Sequence, residues 1–231
     1  MAEHIAVTAG SDEYLEAIYK LGGGDDPVAV PVLAESLGVA TASANQMVRR
    51  LVERGLVTYE PYKGASLSGG GRAQALVVVR RHRLWERFLV DVLGIPWDQV
   101  HEEACRLEHS TSPLVEEKLA LFLESPASCP HGHAMPTADG ALADDRSAPT
   151  IADLVPGQEA EVATVPEEDP SLLRYLDVLD LRPGSHVTVE GVEPFGGPIT
   201  VRTGLASRAI GRELAAGIRV RLVRKEELAT P

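Results

Sequence analysis

The chain has 231 residues, a formal net charge of −12 and an apolar fraction of 44%. This apolar fraction is ordinary for packed cores, and no apolar run approaches the roughly 20 residues that cross a bilayer, which argues against a membrane protein. The N-terminal residues show no basic segment followed by an apolar stretch, so we expect no secretory signal. Two cysteines in so long a chain do not make a disulfide framework. We therefore expect a cytoplasmic protein with thiols free to bind metal.

The net negative charge argues against a general nucleic-acid binder, but the charges are unevenly distributed. Residues 40–63 contain four basic side chains and only two acidic ones, Glu53 and Glu60. This segment is therefore the best candidate for a DNA-binding surface in an otherwise acidic chain.

Residues 1–73 predict three short helices followed by a β-hairpin. Ser11 and Thr41 are expected to cap the first and third helices, and Gly55 to end the third. This order is typical of a winged helix-turn-helix domain, although a plain three-helix packing unit is the alternative. The side chains expected to contact DNA are Thr41, Ser43, Asn45, Gln46, Arg49, Arg50 and Lys63.

The rest of the chain predicts a helical domain, a linker and a small barrel. A long helix is predicted to begin at Arg72 and to end at Gly94. The rest of the helical domain, residues 74–136, contains a helix carrying EEACRLEHS and a helix beginning near Pro113; the broad apolar stripes of the three helices suit a core with a dimer face. Residues 137–149 are small and polar, which is typical of a linker. Residues 150–231 contain short alternating strands between Gly- and Pro-rich turns, which predicts a small β-barrel. The predicted fold class is α+β, mainly α.

Potential metal ligands recur at helical spacing in several segments. At about 100° per residue, one stripe of the second helix of the helical domain carries a thiol, a carboxylate and imidazoles. The stripe and the neighbouring candidates are His101, Cys105, Glu108 and His109, then His82 and Glu86, Glu13 and Glu16, and Cys129 and His131.

Several of these residues also have a plainer interpretation. His82 and Glu86 could form a surface hydrogen bond, Glu16 could belong to a solvated helix face, and Cys105 could be a small buried apolar residue. His133 is expected to be exposed at the start of the linker. Mixed thiolate, imidazole and carboxylate ligands nevertheless suit Fe²⁺, Mn²⁺, Co²⁺, Ni²⁺ or Zn²⁺ better than Mg²⁺ or Ca²⁺.

Two classes of function use such a site. A metal-dependent hydrolase would need an open coordination position, with Glu108 as its base, but no oxyanion-binding segment is evident. A metal-sensing DNA-binding protein accounts for the winged helix and the ligands together. It is the preferred interpretation, and the hydrolase is the alternative.

At these segments the chain resembles the diphtheria toxin repressor family of iron- and manganese-dependent repressors. The resemblance covers nearly the whole chain and is carried by DEYLEAIYKL, ASANQMVRRLVERGLVTYEPYKG, RRHRLWERFL, VHEEACRLEHS and CPHG. The segments ADLVPGQEAEVATV and PGSHVTVEGVEPFGGPITV are similar to the SH3-like, FeoA-like C-terminal domain of that family.

The resemblance implies two metal sites. The primary site would use Glu13, Cys105, Glu108 and His109, with His82 added in the manganese-type arrangement, in which Glu16 also matches a ligand. The ancillary site would use His82, Glu86 and His101 in the iron-type arrangement, or Glu86, Cys129, His131 and Asp169 in the manganese-type one.

The resemblance also implies the metal and the partners. The metal would be Mn²⁺ or Fe²⁺, with Co²⁺, Ni²⁺, Zn²⁺ or Cd²⁺ able to substitute in vitro. A homodimer would bind double-stranded operator DNA, with one or two dimers per operator, and control metal-uptake genes. Gln46 matches the family's recognition-helix glutamine.

Overall fold

A computed structural model describes residues 9–22, 26–142, 147–166 and 169–223; residues 143–146 of the predicted linker lie outside these ranges. The chain forms two compact units. Unit 1 comprises Met1–His82, Cys105–Lys118 and Pro136–Ala143, and unit 2 comprises Arg83–Ala104, Leu119–Met135 and Asp144–Pro231.

The helices and strands confirm the α+β fold. The helices are α1 (Ala9–Leu21), α2 (Val30–Ser36), α3 (Thr41–Glu53), α4 (Gly69–Asp91), α5 (Val100–Glu108), α6 (Pro113–Phe122), α7 (Pro170–Val178) and α8 (Arg212–Gly217). The strands are β1 (Val57–Glu60), β2 (Gly64–Leu67), β3 (Glu159–Thr164), β4 (His186–Val192), β5 (Ile199–Thr203), β6 (Ala206–Ile210) and β7 (Arg219–Leu222). No helix in the described ranges is both long and apolar enough to cross a membrane.

In unit 1, helices α1 to α3 pack around a shared apolar core next to the β1–β2 hairpin. Leu15, Leu33 and Leu51, one from each helix, are fully buried in this core. The hairpin is tied to the helices by paired backbone hydrogen bonds between Val28 and Ala65, each 2.8 Å long. The predicted order of helices and hairpin is confirmed.

The predicted helix caps are wrong in unit 1. Ser11 is buried inside α1, which begins two residues earlier, so it does not cap that helix. Thr41 is the first residue of α3, and the N-cap position is taken by Ala40 without a side-chain hydrogen bond. Gly55 does follow α3 with a φ of +70°, and the amide of the next residue, Leu56, bonds back to the Leu51 carbonyl at 3.0 Å. A glycine in the left-handed conformation just after the last turn is the usual signal for the end of a helix. Gly55 could therefore be recognised in the sequence as the end of α3.

Helix α4 begins at Gly69, three residues before the predicted start at Arg72. The cap is Ser68, whose hydroxyl accepts a hydrogen bond from the Gly71 amide at 3.1 Å. Three consecutive glycines disguised this start, because glycine disfavours helix interiors. Helix α5 ends at Glu108, so His109 lies in the following turn and not on the helix as predicted.

Unit 2 contains a five-stranded antiparallel sheet with the strand order β6-β5-β4-β3-β7. Alternate side chains of β3, such as Ala160 and Val162, enter a core shared with α7 and the following turn. Trp97, from the connection between α4 and α5, is also part of this core. The short strands predicted in residues 150–231 are therefore confirmed, and they form this sheet together with two short helices, α7 and α8.

Candidate metal centres and DNA-binding surface

The first candidate metal centre lies in unit 1 and joins α1 to the end of α5. Ligand atoms of Glu16, Glu108 and His109 all lie within 4.8 Å of one another. The Glu108 carboxylate is 1% exposed and contacts two imidazoles, with Oε1 3.1 Å from His109 Nε2 and Oε2 2.7 Å from His82 Nδ1. Glu16 is 7% exposed, so its predicted alternative as a solvated helix face is wrong.

Burial and charge act on these two carboxylates in opposite directions. Burial raises the pKa of Glu108, and the nearby charge of Glu16 raises it further, against the hydrogen bond from His82. Burial would also raise the pKa of Glu16, but Lys20 and His82 outweigh it, and this pKa is lowered. Lys20 Nζ lies 3.2 Å from Glu16 Oε1. The first centre thus places two acidic side chains close together, and nearby positively charged groups such as Lys20 offset their charge.

Two further predicted ligands border this centre. Glu13 Oε1 lies 3.8 Å from His109 Nε2, and the Glu13 side chain is 49% exposed. Cys105 Sγ lies 3.8 Å from His82 Nδ1 and is half-buried. The structure therefore brings all six candidates predicted for a manganese-type primary site into one region of unit 1.

The second candidate metal centre lies in unit 2 and is fully buried. Ligand atoms of Glu86, Cys129 and His131 lie within 4.8 Å of one another. Glu86 Oε1 is 3.4 Å from His131 Nδ1, and Cys129 Sγ is 4.0 Å from the same nitrogen. His101 Nδ1 lies 3.7 Å from Glu86 Oε1. The predicted surface position of His82 and Glu86 is wrong, because both side chains are buried. His82 contacts Glu108 of the first centre, and Glu86 contacts His131 of the second.

A tight loop presents the two residues of this second centre that follow α6. The Cys129 amide donates to the His133 carbonyl at 2.9 Å, and the Gly132 amide donates to the Cys129 carbonyl at 3.0 Å. His133 is half-buried, with Nε2 3.0 Å from the Val165 carbonyl, so its predicted exposure is wrong. The local CPHG turn, rather than helical spacing, sets the positions of Cys129 and His131.

Asp169 lies outside this group of three ligands. It caps α7, accepting hydrogen bonds from the Ser171 amide at 2.8 Å and the Ser171 hydroxyl at 2.6 Å. These bonds lower the pKa of Asp169, which is exposed.

Both centres have the chemistry of a transition-metal site. Buried carboxylates are costly unless a positive charge accompanies them, and each centre combines them with imidazole nitrogens. The second centre adds the Cys129 thiol. Such mixed N, O and S ligands fit Mn²⁺, Fe²⁺ or a related divalent ion.

The candidate DNA-binding surface is the outer face of α3 together with the hairpin. Ala44, Val48 and Leu51 bury the inner face of α3 in the core of unit 1. Six of the seven predicted contact residues are exposed: Thr41, Ser43, Gln46, Arg49, Arg50 and Lys63. Asn45 is half-buried and donates its amide to the Thr41 carbonyl at 2.9 Å, so it is less available to bases than predicted.

Tyr62 also lies on this surface and was not predicted from the sequence. Tyr62 lies in the turn of the hairpin with a φ of +67°, and its side chain is completely exposed. Lys63 follows it, with Nζ 2.8 Å from Glu60 Oε2. A Pro-Tyr-Lys-Gly turn is a weak signal, because turn residues are usually chosen for backbone geometry.

Three family models match nearly the whole chain. The iron-dependent repressor N-terminal DNA-binding domain matches residues 6–65, the iron-dependent repressor metal-binding and dimerisation domain matches residues 69–137, and the FeoA domain matches residues 150–222. The iron-dependent repressor IdeR of Mycobacterium tuberculosis is 33% identical over 225 residues, covering 92% of this chain and 97% of the relative. The chain belongs to the diphtheria toxin repressor family.

Solved structures of repressors in this family have the same fold. A manganese-dependent transcriptional repressor in complex with manganese is 34% identical, with a TM-score of 0.85 over 92% of this chain and 100% of that one. ScaR with bound Cd²⁺ is 27% identical, with a TM-score of 0.80 over 92% of this chain and 99% of that one. Family members are transcriptional repressors and not enzymes, so the hydrolase alternative is not supported.

Proposed function

We propose that the chain is a transcriptional repressor that binds operator DNA as a dimer when Mn²⁺ or Fe²⁺ occupies its metal centres. The observation that carries this proposal is the burial of Glu16, on the first helix of the DNA-binding domain, beside Glu108 of α5. The family's DNA-binding and dimerisation domains support the two partners, DNA and a second copy of the chain.

The ligands proposed for the first centre link the DNA-binding helices to α5. They are Glu13, Glu16, His82, Cys105, Glu108 and His109. Without a cation the two buried carboxylates repel each other, which weakens the attachment of α1. A bound divalent ion supplies the positive charge that holds both carboxylates, so metal favours one position of α1 and the helices packed on it.

The ligands proposed for the second centre are Glu86, His101, Cys129 and His131. Glu86, Cys129 and His131 are all buried, and Cys129 supplies a thiol, as Cys105 does at the first centre. Zn²⁺, Co²⁺, Ni²⁺ and Cd²⁺ are therefore expected to compete well for both centres in vitro. We propose that availability in the cytoplasm selects Mn²⁺ or Fe²⁺, because intrinsic affinity favours the later metals.

Helix α3 is proposed to enter the major groove of the operator. Gln46 can pair with adenine through two hydrogen bonds, while Arg49, Arg50 and Lys63 suit phosphates or guanine. A dimer would present two such helices to half-sites one helical turn apart, and an operator with repeated half-sites would accept two dimers. Genes for metal uptake are the proposed targets, because a repressor activated by bound metal would then stop uptake when metal is abundant.

The test is to select operator DNA from a random duplex library and measure binding by the full chain with Mn²⁺, Fe²⁺, Co²⁺ and Zn²⁺ in a reducing, anaerobic buffer. We expect selection to succeed only with metal and to return a palindromic sequence. The Glu16→Gln variant should require far more metal than the control Glu213→Gln, which makes the same charge change at an exposed residue of α8. Equal enrichment of one sequence in EDTA would contradict the proposal.

A further inference from the structure

Trp97 packs directly against a proposed ligand of the second centre. The Trp97 and His131 rings are stacked, with centroids 5.5 Å apart and an angle of 26° between their planes. The Trp97 carbonyl lies 2.9 Å from His131 Nε2. His131 is completely buried, so Trp97 forms a large part of the surroundings of the imidazole ring.

The backbone contact fixes the tautomer of His131. A carbonyl oxygen only accepts hydrogen bonds, so Nε2 must carry the proton and donate it. In neutral His131 the lone pair then belongs to Nδ1, the nitrogen that faces Glu86 Oε1 and Cys129 Sγ. A histidine that donates its second ring nitrogen to a carbonyl is held in the orientation that a metal requires.

Trp97 is itself held by α7. Its indole Nε1 donates to Asp177 Oδ2 at 3.0 Å. The Arg182 guanidinium lies 5.0 Å from the centroid of the indole and donates through Nη2 to the same Asp177 oxygen at 2.8 Å. Trp97 is 5% exposed. The indole is therefore held in place by Asp177 at its nitrogen and by Arg182 on one face of the ring.

We infer that Trp97 is a positioning residue that holds His131 ready for metal and couples the second centre to α7 through Asp177. All of these residues lie in unit 2. The inference rests on the proposed second centre. It assigns a role to a side chain that contacts no metal, since Trp97 acts on the ligand and Asp177 acts on Trp97.

The first experiment isolates the second centre by its thiol. In the Cys105→Ser background, Cys129 is the remaining cysteine, so a thiolate-to-Co²⁺ charge-transfer band reports metal at the second centre. We expect Trp97→Leu to weaken Co²⁺ binding about tenfold, the lower end of the range for residues that orient ligands. Trp97→Phe keeps a ring against His131 and should recover part of that loss, whereas Asp177→Ala should give an intermediate loss.

Trp85→Phe is the matched control, because it makes the same aromatic change elsewhere in unit 2. It should leave the Co²⁺ affinity within twofold of the background chain. It also leaves Trp97 as the sole tryptophan, so its fluorescence should change on adding Co²⁺ with the same midpoint as the thiolate band. Far-UV circular dichroism of each variant confirms that it is folded before titration.

The outcomes separate this inference from the proposed function. A band that vanishes in Cys129→Ser and weakens about tenfold in Trp97→Leu supports both. A band with unchanged affinity in Trp97→Leu and Asp177→Ala overturns the role of Trp97 and leaves the second centre intact. No thiolate band in the Cys105→Ser chain overturns the second centre and this inference with it.

Discussion

Glu108 is the residue at which burial and charge conflict most clearly. Its carboxylate is 1% exposed, lies near Glu16 and has a raised pKa. A raised pKa means that the protonated form stabilises the metal-free fold. This contribution is complete below the ordinary value of 4.5 and is lost as pH rises through the higher pKa of the folded state. Above its folded-state pKa, the ionised Glu108 carboxylate therefore destabilises the metal-free chain and is available to a cation.

Replacing Glu108 by Gln should reverse the order of stability with and without metal. In EDTA at pH 7 we expect the Tm of Glu108→Gln to exceed that of the parent by about 2–4 °C, since a neutral amide avoids the buried charge. The advantage should shrink as pH falls toward 4.5. With saturating Mn²⁺ the parent should be the more stable protein. Calorimetric melting measures the Tm in EDTA at pH 7, in EDTA at lower pH and in saturating Mn²⁺. A Glu108→Gln variant that is less stable than the parent in EDTA and equally stabilised by Mn²⁺ would show that the buried charge of Glu108 is not destabilising.

Gln46 is the residue expected to read sequence rather than add affinity alone. Replacing Gln46 by Ala should cost operator binding about 1–3 kcal/mol and relax the preference for adenine at one position of each half-site. Lys63→Ala, the matched change at a phosphate-directed side chain, should weaken binding to all sequences alike. Anisotropy titrations with single-base operator variants distinguish them. Unchanged discrimination in the Gln46 variant would show that α3 does not read bases through this residue.

Residue types indicated the candidate ligands, and their role as ligands stays a prediction. Imidazole, thiol and carboxylate side chains cluster in EEACRLEHS and CPHGH, whereas Glu13, Glu16, His82 and Glu86 recur at helical spacing in other helices. The partners of His82 and Glu86 were not identifiable from the sequence. Two residues one turn apart on a helix can contact residues from different segments of the chain, as these two do with Glu108 and His131. Trp97 carried no local signal, since the ring that it stacks on is 34 residues away in the chain.

At the scale of elements, the loop that presents Cys129 and His131 depends on one glycine. Gly132 has a φ of +90°, and a Cβ built on it would lie 1.9 Å from the Ala163 carbonyl oxygen of β3. The residue before this glycine, His131, accepts a hydrogen bond through its backbone carbonyl from the Val165 amide at 3.1 Å. The close approach to β3 therefore fixes where His131 lies.

Gly132→Ala should damage the second centre through this contact. We expect Co²⁺ binding by Cys129 to weaken more than tenfold and the Tm to fall, because both the backbone strain and the clash must be relieved by moving the loop. Gly184→Ala is the matched control, since Gly184 has the same φ of +90° but nothing within 4 Å of its built Cβ. Equal losses in the two variants would mean that strain alone, and not the approach to β3, sets the loop.

Periodic elements were predictable and their boundaries were less so. The order of helices and strands follows from hydrophobic spacing and from glycine at Gly55, whereas the caps at Ser11 and Thr41 were misassigned. Serine and threonine are compatible with both cap and first-turn positions, so the backbone decides between them. The CPHG turn gave no periodicity at all, and its conformation depends on its contacts with residues 163–165.

Helix α6 presents a stripe of apolar side chains to solvent. Leu114 and Leu121, and likewise Val115 and Phe122, are seven residues apart and recur on one face. All four side chains are at least 44% exposed. An exposed apolar face of this kind, in the segment that matches a dimerisation domain, is suited to contact with a second copy of the chain.

Leu121→Glu should therefore weaken the dimer. We expect sedimentation velocity to show monomer for this variant at concentrations at which the parent is dimeric, because burying a charge in an apolar interface is costly. Val178→Glu introduces the same charge at an exposed position of α7 and should remain dimeric. A monomeric Val178 variant together with a dimeric Leu121 variant would move the interface to the C-terminal domain.

We propose that metal held between α1 and α5 controls DNA binding. The most direct test is operator affinity of the full chain as a function of free Mn²⁺, measured by fluorescence anisotropy from EDTA to saturation. We predict that Mn²⁺ tightens binding by about 10- to 100-fold, a coupling typical of allosteric proteins, and that Glu16→Gln loses most of this gain while the Glu213→Gln control retains it. The same operator affinity in EDTA and in saturating Mn²⁺ would show that metal does not control DNA binding.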